Sequence, residues 1–161
     1  MGLFSRRVKA EKTFSATDIL ARLLGRWAGP GKIYTPAGVQ NYRVELTFAA
    51  KDAGAADASP VQISGSMVSY FESGTVLDTP VQLRLEKEIW SLVYTQTNVH
   101  GQGKLSEGKL EFLQKDPSGK PAGQTQEIWN FLSADHLFIE SFILDAEGEK
   151  EPFLKVVLQK E

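Results

Sequence analysis

The chain has 161 residues, 18 Lys plus Arg against 20 Asp plus Glu for a formal charge of -2, and no cysteine. The near-balance of charge offers no basic face for nucleic acid, and the lack of cysteine excludes disulfides, thiolate nucleophiles, iron–sulfur clusters and thiolate zinc sites. A domain of this length buries roughly 70% of its unfolded surface, so it needs neither disulfide nor metal to fold.

The only basic run, Arg6, Arg7, Lys9 and Lys12, falls in residues 1–14, which read as a flexible, solvated arm. A single domain is expected over 15–160. The opening Met1-Gly-Leu-Phe-Ser-Arg-Arg has neither the apolar run nor the cleavage site of a secretory signal, and Arg6 stands where myristoylation needs Ser or Thr. No apolar stretch approaches the length of a membrane-spanning helix. The expected setting is soluble and cytoplasmic.

One segment predicts a helix. In Ser15-Ala-Thr-Asp-Ile-Leu-Ala-Arg-Leu-Leu-Gly25, Ser15 serves as N-cap with Asp18 at the capping-box position. Ile19, Leu20, Leu23 and Leu24 share a face, and Gly25 is the stop. At about two and a half turns such a helix is too short to stand alone and must dock on something.

Beyond Gly25 the period becomes two. Tyr42, Val44, Leu46 and Phe48 alternate with Arg43, Glu45 and Thr47, and Val81, Leu83 and Leu85 alternate with Gln82, Arg84 and Glu86. Further strands are predicted at 26–35, 61–71, 89–97, 109–114, 124–132, 136–144 and 153–159, rich in the β-branched and aromatic residues that strands prefer. Turn chemistry stands at Pro36-Ala-Gly38, Pro80, Asp116-Pro-Ser-Gly119 and Asp145-Ala-Glu-Gly148, and Ala49 to Pro60 reads as a flexible loop. Gly101-Gln-Gly103 lacks the strand–helix context of a dinucleotide fold and reads as a turn. Nine or ten short strands without helix-length connections exclude parallel crossovers. They predict an all-β, antiparallel up-and-down barrel of 8–10 strands, closed at one end by the short N-terminal helix.

Leu24-Gly25-Arg26-Trp27-Ala28-Gly29-Pro30-Gly31-Lys32-Ile33-Tyr34 resembles the Gly-x-Trp-x-Gly-x-Gly opening of the nitrobindin-like and related lipocalin-like (calycin) barrels of unknown function. The ending, Gly148 to Lys160, is similar to the last hairpin that closes those barrels. The resemblance implies a lipocalin-like barrel over 15–160, in which Gly25, Trp27, Gly29 and Gly31 are structural. Read from chemistry alone, Trp27 is a large apolar plug needing one N–H partner, and the glycines permit close backbone approach. Nitrobindins hold haem through a late histidine. Here no histidine follows His136, so no cofactor is expected.

No motif fixes a reaction. Gly29-Pro-Gly-Lys32 fails as a P-loop, with Arg26 where a Gly belongs and Ile33 where Ser or Thr would hold magnesium. There is no Gly-x-Ser-x-Gly elbow. His100 and His136 are not spaced as metal ligands, and no metal site is predicted; either remains a possible general base. The interior faces are more informative. Trp90, Leu92, Tyr94 and Gln96 share one face of their strand, Thr125, Glu127, Trp129 and Phe131 one of theirs, and Phe138, Glu140, Phe142 and Leu144 one of the next. If these faces point inward, aromatic walls surround one or two carboxylates, to be paired by Arg43, Arg84 or a ligand cation. If they point outward, Glu127 and Glu140 are solvated.

The expected function is binding of a small, partly apolar molecule inside the barrel, lined by Tyr42, Trp90, Tyr94 and Trp129, with Glu127 or Glu140 orienting a polar group. Two alternatives stay open. One is an acid–base enzyme using a pocket carboxylate or histidine, and the other is a cavity-free interaction module.

Overall fold

The computed structural model describes residues 15–49, 61–95, 99–114 and 124–161. The expected arm at 1–14, most of the loop before Val61 and the turn at 116–119 lie outside the described residues.

Helix α1 spans Ala16–Leu23. The expected cap forms: Ser15 Oγ accepts from the Asp18 amide at 3.1 Å, and the Ser15 amide donates to Asp18 Oδ2 at 3.3 Å. Leu24 is extended, and Gly25, at φ +109°, turns the chain directly into the first strand. Ile19, Leu20 and Leu23 are buried in the barrel core. The helix end is tied to the barrel by two side chains that take its terminal carbonyls. Trp27 Nε1–H donates to the Leu23 carbonyl at 3.2 Å, and Lys160 Nζ donates to the Arg22 carbonyl at 2.7 Å.

Ten antiparallel strands follow: β1 Gly25–Thr35, β2 Gly38–Phe48, β3 Val61–Phe71, β4 Val76–Glu86, β5 Ile89–Tyr94, β6 Val99–Ser106, β7 Lys109–Gln114, β8 Thr125–Ser133, β9 His136–Leu144 and β10 Lys150–Lys160. Each pairs with its neighbours in sequence, and β1 pairs with β10 to close the barrel, which leaves no edge strand. The register sends Trp27, Val44, Leu46, Phe48, Leu83, Trp90, Leu110, Trp129, Leu137 and Leu158 into one continuous core. The meander puts α1 at the end where β1 begins. The other end, where β2, β4 and β8 begin and β3, β5 and β9 finish, is the mouth.

Strand β6 differs from the expected turn at Gly101–Gly103. These glycines sit in the ladder, with Gly103 opposite Trp90 on one side and Phe112 on the other. A Cβ on Gly103 would lie 1.5 Å from the Glu111 carbonyl oxygen, so glycine serves close strand approach rather than a turn. Gly29 and Gly65 stand in the same relation to the Val157 and Thr47 carbonyls, at 1.8 and 1.9 Å. Replacing Gly103 with Ala is therefore expected to destabilise the barrel by about 1–3 kcal/mol; a urea midpoint at the wild-type value would contradict the close approach.

Pro80 lies inside β4 rather than before it. The β4–β5 ladder runs out at Val81 and Tyr94, with the Pro80 carbonyl still accepting from the Thr95 amide at 3.2 Å, so the missing N–H falls at the frayed mouth end of that ladder.

Candidate functional site

The inner face of β8 presents Glu127, Trp129 and Phe131, all buried, on alternate residues. Glu127 is 5% exposed and stands between Phe112 of β7 and Ser141 of β9, its cross-strand partners. Three donors from three strands converge on its carboxyl. Tyr94 Oη donates to Oε2 at 2.6 Å, Trp129 Nε1–H donates to the same oxygen at 2.8 Å, and Ser141 Oγ donates to Oε1 at 2.8 Å.

Burial raises the Glu127 carboxyl above its ordinary value, while the hydrogen bonds from Tyr94, Trp129 and Ser141 pull it back down. Burial, and then the charge of Glu127, push the Tyr42 phenol up to about 12. The same two causes raise Tyr94 well above the usual phenol value. Both phenols thus stay neutral across the physiological range. Among the described residues no basic side chain pairs with Glu127: its hydrogen-bond partners are all neutral.

Tyr42, Tyr94, Glu127 and Trp129 are brought together, with Tyr42 stacked on Phe71 at 5.2 Å between ring centroids. Trp90 also faces inward, but four residues before Tyr94 on β5 it lies toward the α1 end, about 13 Å along the strand. Glu140 is not in the interior. The inward residues of β9 are Leu137, Ile139 and Ser141, so Phe138, Glu140 and Phe142 take the outer face. Both faces of β9 carry large apolar residues, so alternation alone did not reveal which one turned inward. Nor do Arg43 and Arg84 enter the barrel. Arg43 lies outside within 4.0 Å of Glu45 and 3.9 Å of Glu161, and Arg84 pairs with Glu86 at 3.1 Å. Their strands turn Val44 and Leu83 inward instead, which forces the arginines out.

Gly25, Trp27, Gly29 and Gly31 lie along β1. Trp27 is fully buried beside α1, and Gly31 leaves room for the Tyr42 ring, which a Cβ there would meet at 2.5 Å. His136 is exposed at the start of β9, with Nδ1 3.0 Å from Ser133 Oγ, and Gln96 is outside the described residues. Among the described residues no cluster of histidines and carboxylates has the makings of a metal site. Sequence reasoning missed Ser141 and Phe71. Ser141 becomes visible once β9 is paired with β8, because it is directly opposite Glu127.

Two cavities mark the ends of the barrel. One, of 350 Å³, lies beside α1 and is lined by Ala16, Leu85, Glu88, Trp90, Lys104 and Leu105. The other, of 380 Å³, is a cleft at the mouth where the tips of β2 and β3 part; Val39, Gln40, Asn41, Phe71 and Glu72 are among its walls. Phe71 links this cleft to Tyr42, and Tyr42 feels the charge of Glu127.

Several solved structures share this architecture at low sequence identity. The S-type phycobiliprotein lyase CpeS of Guillardia theta matches with a TM-score of 0.68 and 16% identity, over 95% of this chain and 96% of its own. The Rv2717c protein of M. tuberculosis matches at 0.65 and 17%, over 92% and 99%. EF1p2_mFAP2b, in a structure bound to DFHBI, matches at 0.52 and 11%, over 91% and 100%. No family model matches the chain, and no curated protein is detectably similar in sequence. Identities this low speak to architecture alone. The chain is a closed, ten-stranded antiparallel barrel with one short helix near its N-terminus, an architecture it shares with these structures.

Proposed function

We propose that this protein binds a small, partly apolar molecule in the mouth half of its barrel, with the polar part of that molecule directed at Glu127. The observation that carries the reading is the buried carboxyl held by Tyr94, Trp129 and Ser141 inside an otherwise apolar core. A buried carboxyl is costly for a fold, and an apolar residue at 127 would fill the space without that cost. A carboxyl ordered by three donors, with one acceptor position left over, is suited to recognition. At the α1 end Trp27, Trp90 and Phe48 are fully buried, and the cavity beside the helix has none of Tyr42, Tyr94 or Glu127 among its walls. That a barrel of this architecture is described bound to DFHBI is consistent with the frame admitting a small molecule.

The likeness of Gly25–Tyr34 to the nitrobindins is not extended to haem, since no histidine follows His136 in the sequence. The proposed setting is the cytoplasm, which suits a chain without cysteine.

Native mass spectrometry of the protein isolated from its own cells tests the reading. One retained small molecule per chain is expected, with occupancy clearly reduced in Trp129→Phe, which keeps a large apolar ring but removes a donor to Glu127. Equal occupancy in the two proteins would overturn the assignment of the site.

A second reading rests on the 2.6 Å Tyr94–Glu127 bond, a carboxyl–phenol pair able to relay a proton in an acid–base enzyme. It requires a carboxyl raised above its ordinary value. Carbon-detected NMR titration of Glu127 should show that rise, and a midpoint in the usual carboxylate range would remove this reading.

A further inference from the structure

Resting on the binding site proposed above, we infer that the molecule held beside Glu127 is an organic cation, a flat amine or N-alkylated heteroaromatic, and that the barrel rejects carboxylate ligands. An ionised carboxylate has about four acceptor positions. Three are taken, two on Oε2 and one on Oε1, by neutral donors that order the group without neutralising it. One position on Oε1 is left for a further donor.

The charge itself has no counterpart among the described residues. Of the strands flanking β8, β9 carries no Lys or Arg and Lys109 of β7 is exposed, as is Lys104 of β6. Farther round the barrel Arg43 and Arg84 are directed to outer-face glutamates, Lys150 over Phe142, Lys155 over Tyr34, and Lys160 to the α1 end over Trp27. A cation inside the barrel would favour a carboxylate ligand; the interior holds Glu127 instead, which is negative once it ionises. In a low-dielectric interior, an anionic ligand would meet repulsion that water does not screen. The walls suit a cation instead. Tyr42, stacked on Phe71, and Tyr94 place aromatic rings beside the carboxyl, and aromatic rings attract positive charge.

Among the described residues, the titratable groups facing Glu127 are Tyr94 from β5 and Tyr42 from β2; Phe112, Trp129 and Ser141 from β7, β8 and β9 do not titrate in this range. Cation affinity should therefore rise with pH as Glu127 ionises.

The test uses two flat fluorescent probes on the full-length protein, cationic thioflavin T and anionic anilinonaphthalenesulfonate, with Glu127→Gln as the variant. The variant should fold. Its amide oxygen can take the Oε2 position and accept from Tyr94 and Trp129, while its NH2 donates to Ser141 Oγ. Thioflavin T is expected to bind wild type at least about tenfold more tightly than Glu127→Gln, roughly the one-decade loss that 1.4 kcal/mol represents. The anionic probe should bind the variant as well as or better than wild type. Glu140→Gln, an equal charge change on the outer face, should leave both affinities unchanged. If the anionic probe binds wild type more tightly than the cationic one, or if Glu140→Gln matches Glu127→Gln, the charge inference falls while the small-molecule site stands. If neither probe binds either protein, both fall.

Discussion

Replacing Trp129 with Ala is expected to lower the unfolding free energy by about 3–5 kcal/mol, the usual cost of truncating a fully buried tryptophan. Trp129 has no exposed surface. Its ring centroid is 6.2 Å from that of Phe112 in an edge-on contact and 6.3 Å from that of Phe48, and Leu110 and Ile139 are its cross-strand partners. Alanine would leave a cavity that these closely packed strands fill poorly, and it would remove one of the two donors to Glu127 Oε2. A domain of this size is stable by only about 5–15 kcal/mol, so the loss is a large fraction of the whole. Urea unfolding followed by circular dichroism measures it. Trp129→Phe separates the two contributions: it retains most of the packing and loses the N–H, so its loss should be clearly smaller. Equal losses would mean that the hydrogen bond, not the volume, dominates.

The second large effect concerns pH. Burial raises the Glu127 carboxyl above its ordinary value near 4.5, so in that window the folded state holds a proton that the unfolded state has released. Stability from this group is fully present below the ordinary value and is lost as pH rises through the raised one. The slope for one such proton approaches about 1.4 kcal/mol per pH unit at its steepest. Glu127→Gln has no such proton, and its stability, relative to wild type, should therefore improve steadily as pH climbs through the window. The phenols of Tyr42 and Tyr94 titrate too high to contribute there. Urea midpoints for the two proteins at several pH values between 4 and 8 measure the difference; parallel curves would mean that Glu127 ionises in the fold as it does in the unfolded chain.

Much of the barrel was legible in the sequence, for identifiable reasons. Strands 61–71, 109–114 and 136–144 fall where expected because turn residues bound apolar runs on both sides. The capping box at Ser15 and Asp18 is a local signal and forms as read. Strand β6 was hidden because Gly101 and Gly103 imitate turn residues, and the reason for them is the neighbouring strand, which a linear reading does not contain. Pro80 misled in the same manner, since its tolerance depends on where the pairing of β4 with β5 runs out.

The site was legible on some strands and not on others. On β8, polar Thr125 and Glu127 share a face with Trp129 and Phe131, and the adjoining face carries Gln126, Ile128 and Asn130. Parity kept Glu127 with the aromatics but left open whether that face was inside. On β9 both faces are apolar, and only the pairing of Glu127 with Ser141 decides that Glu140 is outside. The meeting of Tyr94 with Glu127 is a consequence of closure, as these residues come from strands separated by β6 and β7. No reading of either strand alone contains it.

The chain's three tryptophans give the most direct test of where a ligand sits, because each indole N–H reports a different place. Trp129 donates to Glu127, Trp27 donates to the Leu23 carbonyl beneath α1, and Trp90 lines the cavity beside α1. In nitrogen–proton correlation spectra, titration with thioflavin T should shift the Trp129 indole peak strongly and leave that of Trp27 in place. Movement of the Trp27 or Trp90 peak with Trp129 stationary would put the binding site at the α1 end and contradict a site built on Glu127.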